Sequence, residues 1–359
     1  MVPPAELVID EPSNNRRRRG ASPTLADVGA LAGVSAATAS RVLNGTGRHV
    51  ADALRKRVLA AAEELDYVPN AHAQALMRPD SRVVGVTVFN VANPYFTEII
   101  GGILDVAAQA DRLVTIANVF RDPETELRYL SLLHSQRVGS LVLTGSGWTD
   151  AEHVRRLQAR VDAFRAAGGR VVLVERRDLT GDLLLPDSEG GAGAAARALL
   201  ELGHTHIGVI SGREDMAVTT DRERGFLETC AAAGHAVPPE RIVPGEFTTD
   251  GGASAMIALL DRAPGLTAVF CLSDAMAVGA LRVLRHRGID VPRQVSVMGF
   301  DDVGLARNLT PALSTVHVPL VQLGAAAMRR ILEPAPAEPS VRHFPTELRL
   351  RGTTARPPR

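Results

Sequence analysis

Three patterns in this 359-residue chain bring together side chains able to do chemistry. The first is charge. Pro12 to Ala60 holds nine basic residues (Arg16, Arg17, Arg18, Arg19, Arg41, Arg48, Arg55, Lys56 and Arg57) against Asp27 and Asp52, a net +7. Forty basic and forty acidic residues balance over the whole chain, so the remainder carries −7. A basic end on an acidic body suits contact with a polyanion. The second pattern is a series of aromatic and polar residues: Asn93-Pro-Tyr-Phe96, Ser146 with Trp148 nearby, Glu175-Arg176, Arg222, Phe247, Ser273-Asp274 and Asp301. Aromatic faces can stack on a polyol or nucleobase while Arg and Asp fix its donors and acceptors. The third is a pair of imitations. Gly191-Ala-Gly-Ala-Ala-Ala196 has the spacing of a dinucleotide-binding turn, but Pro186–Gly190 separates it from the preceding apolar run, so no tight strand–turn–helix phosphate site forms. His204-Thr-His206 offers two metal ligands without a third at ligand spacing and reads as the lead into a strand.

Other chemistries are excluded by what the chain lacks. Lys56 is the only lysine and follows no glycine-rich loop, which removes a Walker A site and a Schiff base. Neither GxSxG nor HExxH occurs, so no catalytic set assembles. The expectation is a protein that is not an enzyme and needs no cofactor or metal. Cys230 and Cys271 cannot build a disulfide framework, which favours a reducing compartment. No signal-peptide h-region and no run of 18 apolar residues appears, so a cytoplasmic location is expected, without membrane contact.

The elements that must position these residues fall into two textures. Residues 1–22 read as a disordered basic tail. Residues 24–68 read as three helices. Thr24-Leu-Ala-Asp27 resembles a capping box; Leu25, Val28 and Leu31 form a stripe, and Gly33 breaks the helix. Ser35 caps a second helix through Leu43 with Val34, Thr38 and Val42 on one face. The third carries Leu54, Val58, Ala61, Ala62 and Leu65 and stops before Pro69. Two short helices around a glycine turn in a +7 segment suggest a helix-turn-helix, and the small residues of Ser35-Ala-Ala-Thr-Ala-Ser-Arg41 let the second helix enter a major groove. From Val83 onward, apolar runs at Val83–Phe89, Leu113–Ala117, Ser140–Thr144, Val171–Val174, Leu183–Leu185, Ile207–Ser211, Ala268–Leu272 and Val295–Gly299 alternate with helical segments. That alternation predicts two doubly wound parallel sheets, with Val341–Arg351 adding a last strand. The aromatic and polar series lies just after the strand runs, where open α/β sheets bind ligands.

Thr24-Leu-Ala-Asp-Val-Gly-Ala-Leu-Ala-Gly-Val-Ser-Ala-Ala-Thr-Ala-Ser-Arg-Val-Leu-Asn44 resembles the head of the lactose-repressor/galactose-repressor (LacI/GalR) family. Glu63-Glu-Leu-Asp-Tyr-Val-Pro-Asn70 resembles that family's lead into its hinge, and the similarity runs over residues 24–353. The resemblance implies an all-α helix-turn-helix DNA-binding head and an α/β core like a periplasmic binding protein. Its domains would be 23–69 for DNA binding, 70–80 for a hinge helix, and 81–357 for effector binding and dimerisation. Within the last, the N-subdomain would take about 81–182 and 314–333, and the C-subdomain about 183–313 and 341–357.

By the same resemblance, Thr24, Ser35, Ala36, Ala37, Thr38, Ser40, Arg41 and Asn44 would face DNA, with Arg41 reaching a guanine edge. Asn70, Ala73 and Leu76 would act in the hinge, Leu76 wedging into the minor groove. Tyr95, Phe96, Ser146, Arg222, Phe247, Ser273 and Asp301 would surround a sugar or purine-like effector, joined by Glu175 from its strand-end position; Asp274 reads as a helix N-cap. The implied protein is a bacterial ligand-responsive repressor acting as a homodimer on a pseudo-palindromic operator, cytoplasmic and nucleoid-associated when bound to DNA. The competing class is a sugar-binding receptor of the periplasmic type, which would carry a signal peptide and no basic helical head. Two departures from the family stand out. Gly29 replaces the usual alanine at a cost of roughly 1 kcal/mol in helix propensity, and the turn Gly45–His49 is one residue longer than the family's, which leaves contacts from Arg48 or His49 unassigned.

Overall fold

The structure, a computed structural model, describes residues 23–43, 50–68, 81–334 and 338–358. It divides into two compact units, Met1–Pro79 and Asp80–Arg359.

The first unit contains α1 (Leu25–Ala32), α2 (Ala36–Leu43) and α3 (Asp52–Glu64). The Thr24 hydroxyl accepts from the Asp27 N–H at 3.3 Å, and the Asp27 carboxylate accepts from the Thr24 N–H at 2.8 Å, completing a capping box. Those bonds hold the Asp27 carboxyl below its ordinary pKa. Gly33 ends α1 at φ 64°, the left-handed conformation glycine adopts freely. Val28 and Ala32 of α1, Ala39 and Val42 of α2, and Val58, Ala61 and Ala62 of α3 form the core. Leu31, expected in the stripe, is instead exposed, because the face that turns inward follows Leu25, Val28 and Ala32. Gly29 has a packing reason. A Cβ there would lie 2.9 Å from the Val34 carbonyl oxygen and 3.2 Å from the Ala36 nitrogen. The Val34 N–H donates to the Gly29 carbonyl at 2.8 Å, so the close turn offsets the lost helix propensity.

The second unit alternates strands and helices. The first sheet has the order β11-β5-β4-β3-β1-β2, all parallel, built from β1 (Val83–Val88), β2 (Leu113–Asn118), β3 (Ser140–Leu143), β4 (Arg170–Val174), β5 (Asp182–Pro186) and β11 (Val341–Phe344). Around it lie α4 (Pro94–Gln109), α5 (Pro123–Ser135), α6 (Ala151–Ala166) and α12 (Leu320–Leu332). The second sheet, β7-β6-β8-β9, is also parallel: β6 (Ile207–Ser211), β7 (Ile242–Pro244), β8 (Ala268–Cys271) and β9 (Ser296–Met298). Its helices are α7 (Ser188–Glu201), α8 (Ala217–Ala232), α9 (Thr249–Arg262) and α10 (Asp274–His286). A short helix, α11 (Gly304–Asn308), precedes β10 (Thr315–His317), which pairs antiparallel with β12 (Glu347–Arg349).

Two boundaries need correction. Residues 183–186 and 341–344 were expected in the C-subdomain, yet β5 and β11 pair with each other in the first sheet. Val341–Arg351 is also two strands in different sheets, because Pro345 supplies no N–H and the chain crosses over there. Beyond it, Thr353 accepts from the Val297 N–H at 2.8 Å and so belongs with the second sheet.

Candidate functional site

Where the carboxyl ends of both sheets face each other, a small cavity opens. The position follows from topology. Residues just past β1, β2, β3, β4, β6, β7, β8 and β9 (Phe89, Arg121, Ser146, Glu175, Met216, Phe247, Ser273 and Asp301) all reach its wall. The helix starts add Asn93, Tyr95 and Phe96 from α4 and Arg222 from α8. Arg121, Glu175 and Asp301 have φ of 52°, 76° and 116°, a left-handed backbone that is costly for residues with a Cβ and that gathers at functional sites.

The polar groups of the wall are deeply buried and mutually engaged. Arg222 pairs with Asp301 through Nη2 and Oδ1 at 2.9 Å, donates from Nη1 to the Leu272 carbonyl at 2.5 Å, and lies 3.8 Å from the Phe300 ring centroid. Burial pushes the Asp301 carboxyl up to about 7; Arg222 opposes that rise and Glu175 adds to it. The Tyr95 hydroxyl donates to Glu175, whose pKa burial also raises. Ser273 caps α10 by accepting from the Met276 N–H at 3.3 Å. Asp274, expected as that cap, is the first helical residue instead. Its carboxylate accepts from the Val303 N–H at 2.9 Å and the Thr315 hydroxyl at 2.6 Å, which fixes the loop that carries Asp301.

Across the cavity mouth the two subdomains are hydrogen-bonded together. The Val218 N–H donates to Ser146 Oγ at 2.7 Å, the Ala217 N–H to the Gly147 carbonyl at 3.0 Å, and the Thr149 N–H to the Asp215 carbonyl at 3.0 Å. Trp148 and Met216 form an isolated antiparallel bridge in the same stretch. The loop bearing Ser146 rests on a buried charge network. Arg177 donates to Glu126 at 2.7 Å and to the Gly145 and Thr144 carbonyls at 2.8 and 3.1 Å, while Trp148 Nε1 donates to Glu126 at 3.0 Å. Burial alone would raise the Glu126 pKa, but Arg177 and the hydrogen bonds from His153 and Trp148 hold it at about 2.

All eight residues expected around an effector (Tyr95, Phe96, Ser146, Glu175, Arg222, Phe247, Ser273 and Asp301) are on this one wall. Trp148 is buried behind it, and Arg176 pairs with Asp221 at 3.1 Å beside it. Sequence reasoning missed Phe89, Arg121, Met216 and Val218. Phe89 reads as strand core, and Arg121 sits in a Phe-Arg-Asp-Pro stretch that reads as an ordinary turn.

In the head, Ser35 Oγ accepts from the Thr38 N–H at 3.1 Å and meets the Thr38 hydroxyl at 2.9 Å. Thr24, Ser35, Ala36, Ala37 and Arg41 are exposed, and Thr38 and Ser40 half-buried. Arg41 Nε donates back to the Ala37 carbonyl at 3.3 Å, so the side chain lies along its own helix. Arg57, counted among the basic groups, instead caps α1 by donating to the Ala32 carbonyl. Asn44, Asn70, Ala73, Leu76 and the Arg16–Arg19 run lie outside the described residues.

Residues 24–70 match the bacterial regulatory proteins of the lacI family, and residues 196–354 match a periplasmic binding protein-like domain. The chain is 33% identical over 311 residues to the ribose operon repressor of Haemophilus influenzae, covering 86% of this chain and 91% of that protein. It is 34% identical over 319 residues to the HTH-type transcriptional regulator GalR of Escherichia coli, covering 88% and 90%. The chain belongs to the LacI family. Among solved structures, a lac repressor dimer bound to operator and the anti-inducer ONPF aligns with a TM-score of 0.80 at 26% identity, over 93% of this chain and 100% of that one. A complex of the transcriptional regulator CelR with cellobiose aligns at 0.68 and 32% identity, over 92% and 99%.

The LacI-family chain is thus a DNA-binding, ligand-responsive transcriptional repressor and not an enzyme. The structure also gives the two imitations other work. Gly191–Ala196 lies inside α7, whose start is capped by Asp187 accepting from the Gly190 N–H at 2.9 Å. His204 engages Thr267 Oγ1 at 3.0 Å and the Ala355 carbonyl at 2.8 Å, tying the chain end to the second sheet. Among the described residues no cluster of three or more His, Cys, Asp or Glu could hold a metal, and no helix is long and apolar enough to cross a membrane.

Proposed function

We propose that this protein represses transcription as a cytoplasmic homodimer on a two-fold operator, and that a sugar or nucleobase-like effector in the cavity sets its DNA affinity. The observation that carries the reading is the cavity itself. It lies at the strand ends of both sheets, joins aromatic faces to a buried Arg222–Asp301 fork, and is closed by hydrogen bonds between the subdomains. Phe96 and Phe247 would stack on the effector, Arg222 and Asp301 would hold its donors and acceptors, and Ser146, Ser273 and the Tyr95–Glu175 pair would set its orientation. The cellobiose complex of the similar regulator favours a sugar.

Ser35, Ala36, Ala37, Thr38, Ser40 and Arg41 would read the major groove, with Thr24 and Asn44 on the backbone and Asn70, Ala73 and Leu76 in a hinge that orders on DNA. Dimerisation is supported by apolar side chains exposed on and beside edge strand β2: Leu113, Ile116 and Phe120, with Leu104 on α4. The effector acts through its different affinities for the two subdomain arrangements. The test is Asp301→Ala, read by gel shift with and without effector. The expected result is intact operator binding that no longer responds to effector; a retained response contradicts this placement.

A further inference from the structure

We propose that the effector carries an anionic group, a carboxylate or a phosphate, and that Arg121 holds it. This rests on the cavity being the effector site and adds the ligand class that the other wall residues leave open. Arg121 stands just past β2, half-buried on the cavity wall. Its guanidinium carbon lies 5.6 Å from the Phe89 ring centroid and 5.8 Å from that of Phe247, one ring from each subdomain. These contacts position the cation without neutralising it.

Every other charged group on the wall has a protein partner. Arg222 is matched by Asp301, and Glu175 accepts from Tyr95. Arg121 makes no hydrogen bond or ion pair among the described residues, and its Nε is buried without an acceptor. Glu175 and Glu246 favour its charge from a distance and Arg213 opposes it, but Arg213 is itself engaged with Asp215 at 2.6 Å and Glu246 at 3.7 Å. Burial pulls the Arg121 pKa below its ordinary value, the mark of a cation that its surroundings do not compensate. A carboxylate or phosphate presents paired oxygens that match the guanidinium fork and cancel its charge, whereas a hydroxyl does neither. The missed residue thereby becomes the one that sets specificity.

The experiment is isothermal titration calorimetry of the full-length protein with matched neutral and anionic ligands. The sets are glucose, glucuronate and glucose 6-phosphate; ribose and ribose 5-phosphate; adenosine and adenosine 5′-phosphate. In at least one set the anionic member is expected to bind at least about tenfold more tightly than its neutral counterpart. Arg121→Met, which keeps the apolar stem, should bring that ratio to about one. Glucuronate against glucose 6-phosphate distinguishes a carboxylate from a phosphate. Neutral ligands that bind as well as their anionic counterparts overturn the anionic assignment and leave the effector cavity standing. An anion preference that survives Arg121→Met overturns the role of Arg121. Absence of binding by every member, neutral and charged, contradicts the sugar or nucleobase cavity itself.

Discussion

Asp301 allows the electrostatics of the cavity to be tested without knowing the effector. Its carboxyl is pushed up to about 7 by burial, against an unfolded-chain value near 3.9. Between those values the folded protein keeps a proton that the unfolded chain has lost. The stabilising effect of that proton is complete below about pH 4 and disappears as pH rises through about 7. At 1.36 kcal/mol per unit, the part lost between pH 5.5 and 7 is on the order of 2 kcal/mol. For a unit of this size that corresponds to about 4 °C in Tm. The perturbation is Asp301→Asn, which cannot titrate but still fits. Below about pH 7 both proteins place a neutral group beside Arg222, so the overall offset between them reflects how the amide packs and hydrogen-bonds rather than a lost counter-ion. Magnitude is therefore not the diagnostic; slope is. Thermal unfolding of wild type and variant from pH 5.5 to 8.5 should show the wild-type Tm falling relative to the variant's up to about pH 7.5, with a constant difference beyond. Glu175 and Asp274, also raised by burial, remain in both proteins and largely cancel. A wild-type Tm that holds level with the variant's, or rises relative to it, over that pH range would refute the reasoning.

Three further outcomes are expected. Glu126→Ala leaves Arg177 buried without its carboxylate and should cost about 3–5 kcal/mol in urea unfolding of the body, with a blue- or red-shifted emission of Trp148, the only tryptophan; a loss below about 1 kcal/mol contradicts the role given to this pair. Ser146→Ala removes the acceptor of the buried Val218 N–H in the closed arrangement and should weaken effector binding by about 1–3 kcal/mol, read by calorimetry, with little change in operator affinity without effector. Arg41→Ala, at an exposed position, should relax discrimination at one base pair of each half-site by about 1–3 kcal/mol in binding competition while the Tm of the protein stays put.

The sequence revealed the site through the ends of its strands. Ser146, Glu175, Ser273 and Asp301 follow apolar runs whose limits are visible in residue type alone, and the strand-end rule then places them together. Tyr95 and Phe96 were legible for the same reason, on the helix start that follows Asn93. What escaped depends on backbone direction and on long-range pairing. Phe120 and Arg121 both take positive φ, at 54° and 52°, and that reversal, which no residue type signals, puts a turn arginine on the cavity wall. Glu126 and Arg177 meet across 51 positions, one on an amphipathic helix and the other in a loop, and each reads alone as a solvated charge. Pro345 splits what looks like one terminal strand, and only pairing shows that its halves serve different sheets. In the head, apolar spacing located three helices but misjudged Leu31 by one position on the helical wheel, which is all it takes to move a side chain from core to solvent.

The coupling of a cavity to DNA is tested most directly by selecting fragments of the source genome on the full-length protein, in parallel with and without the ligand that calorimetry identifies. The expected result is a shared two-fold motif of about 16–20 base pairs whose enrichment changes severalfold when ligand is added. Salt-sensitive retention of fragments with no common motif, unaltered by a ligand that demonstrably binds, would contradict it.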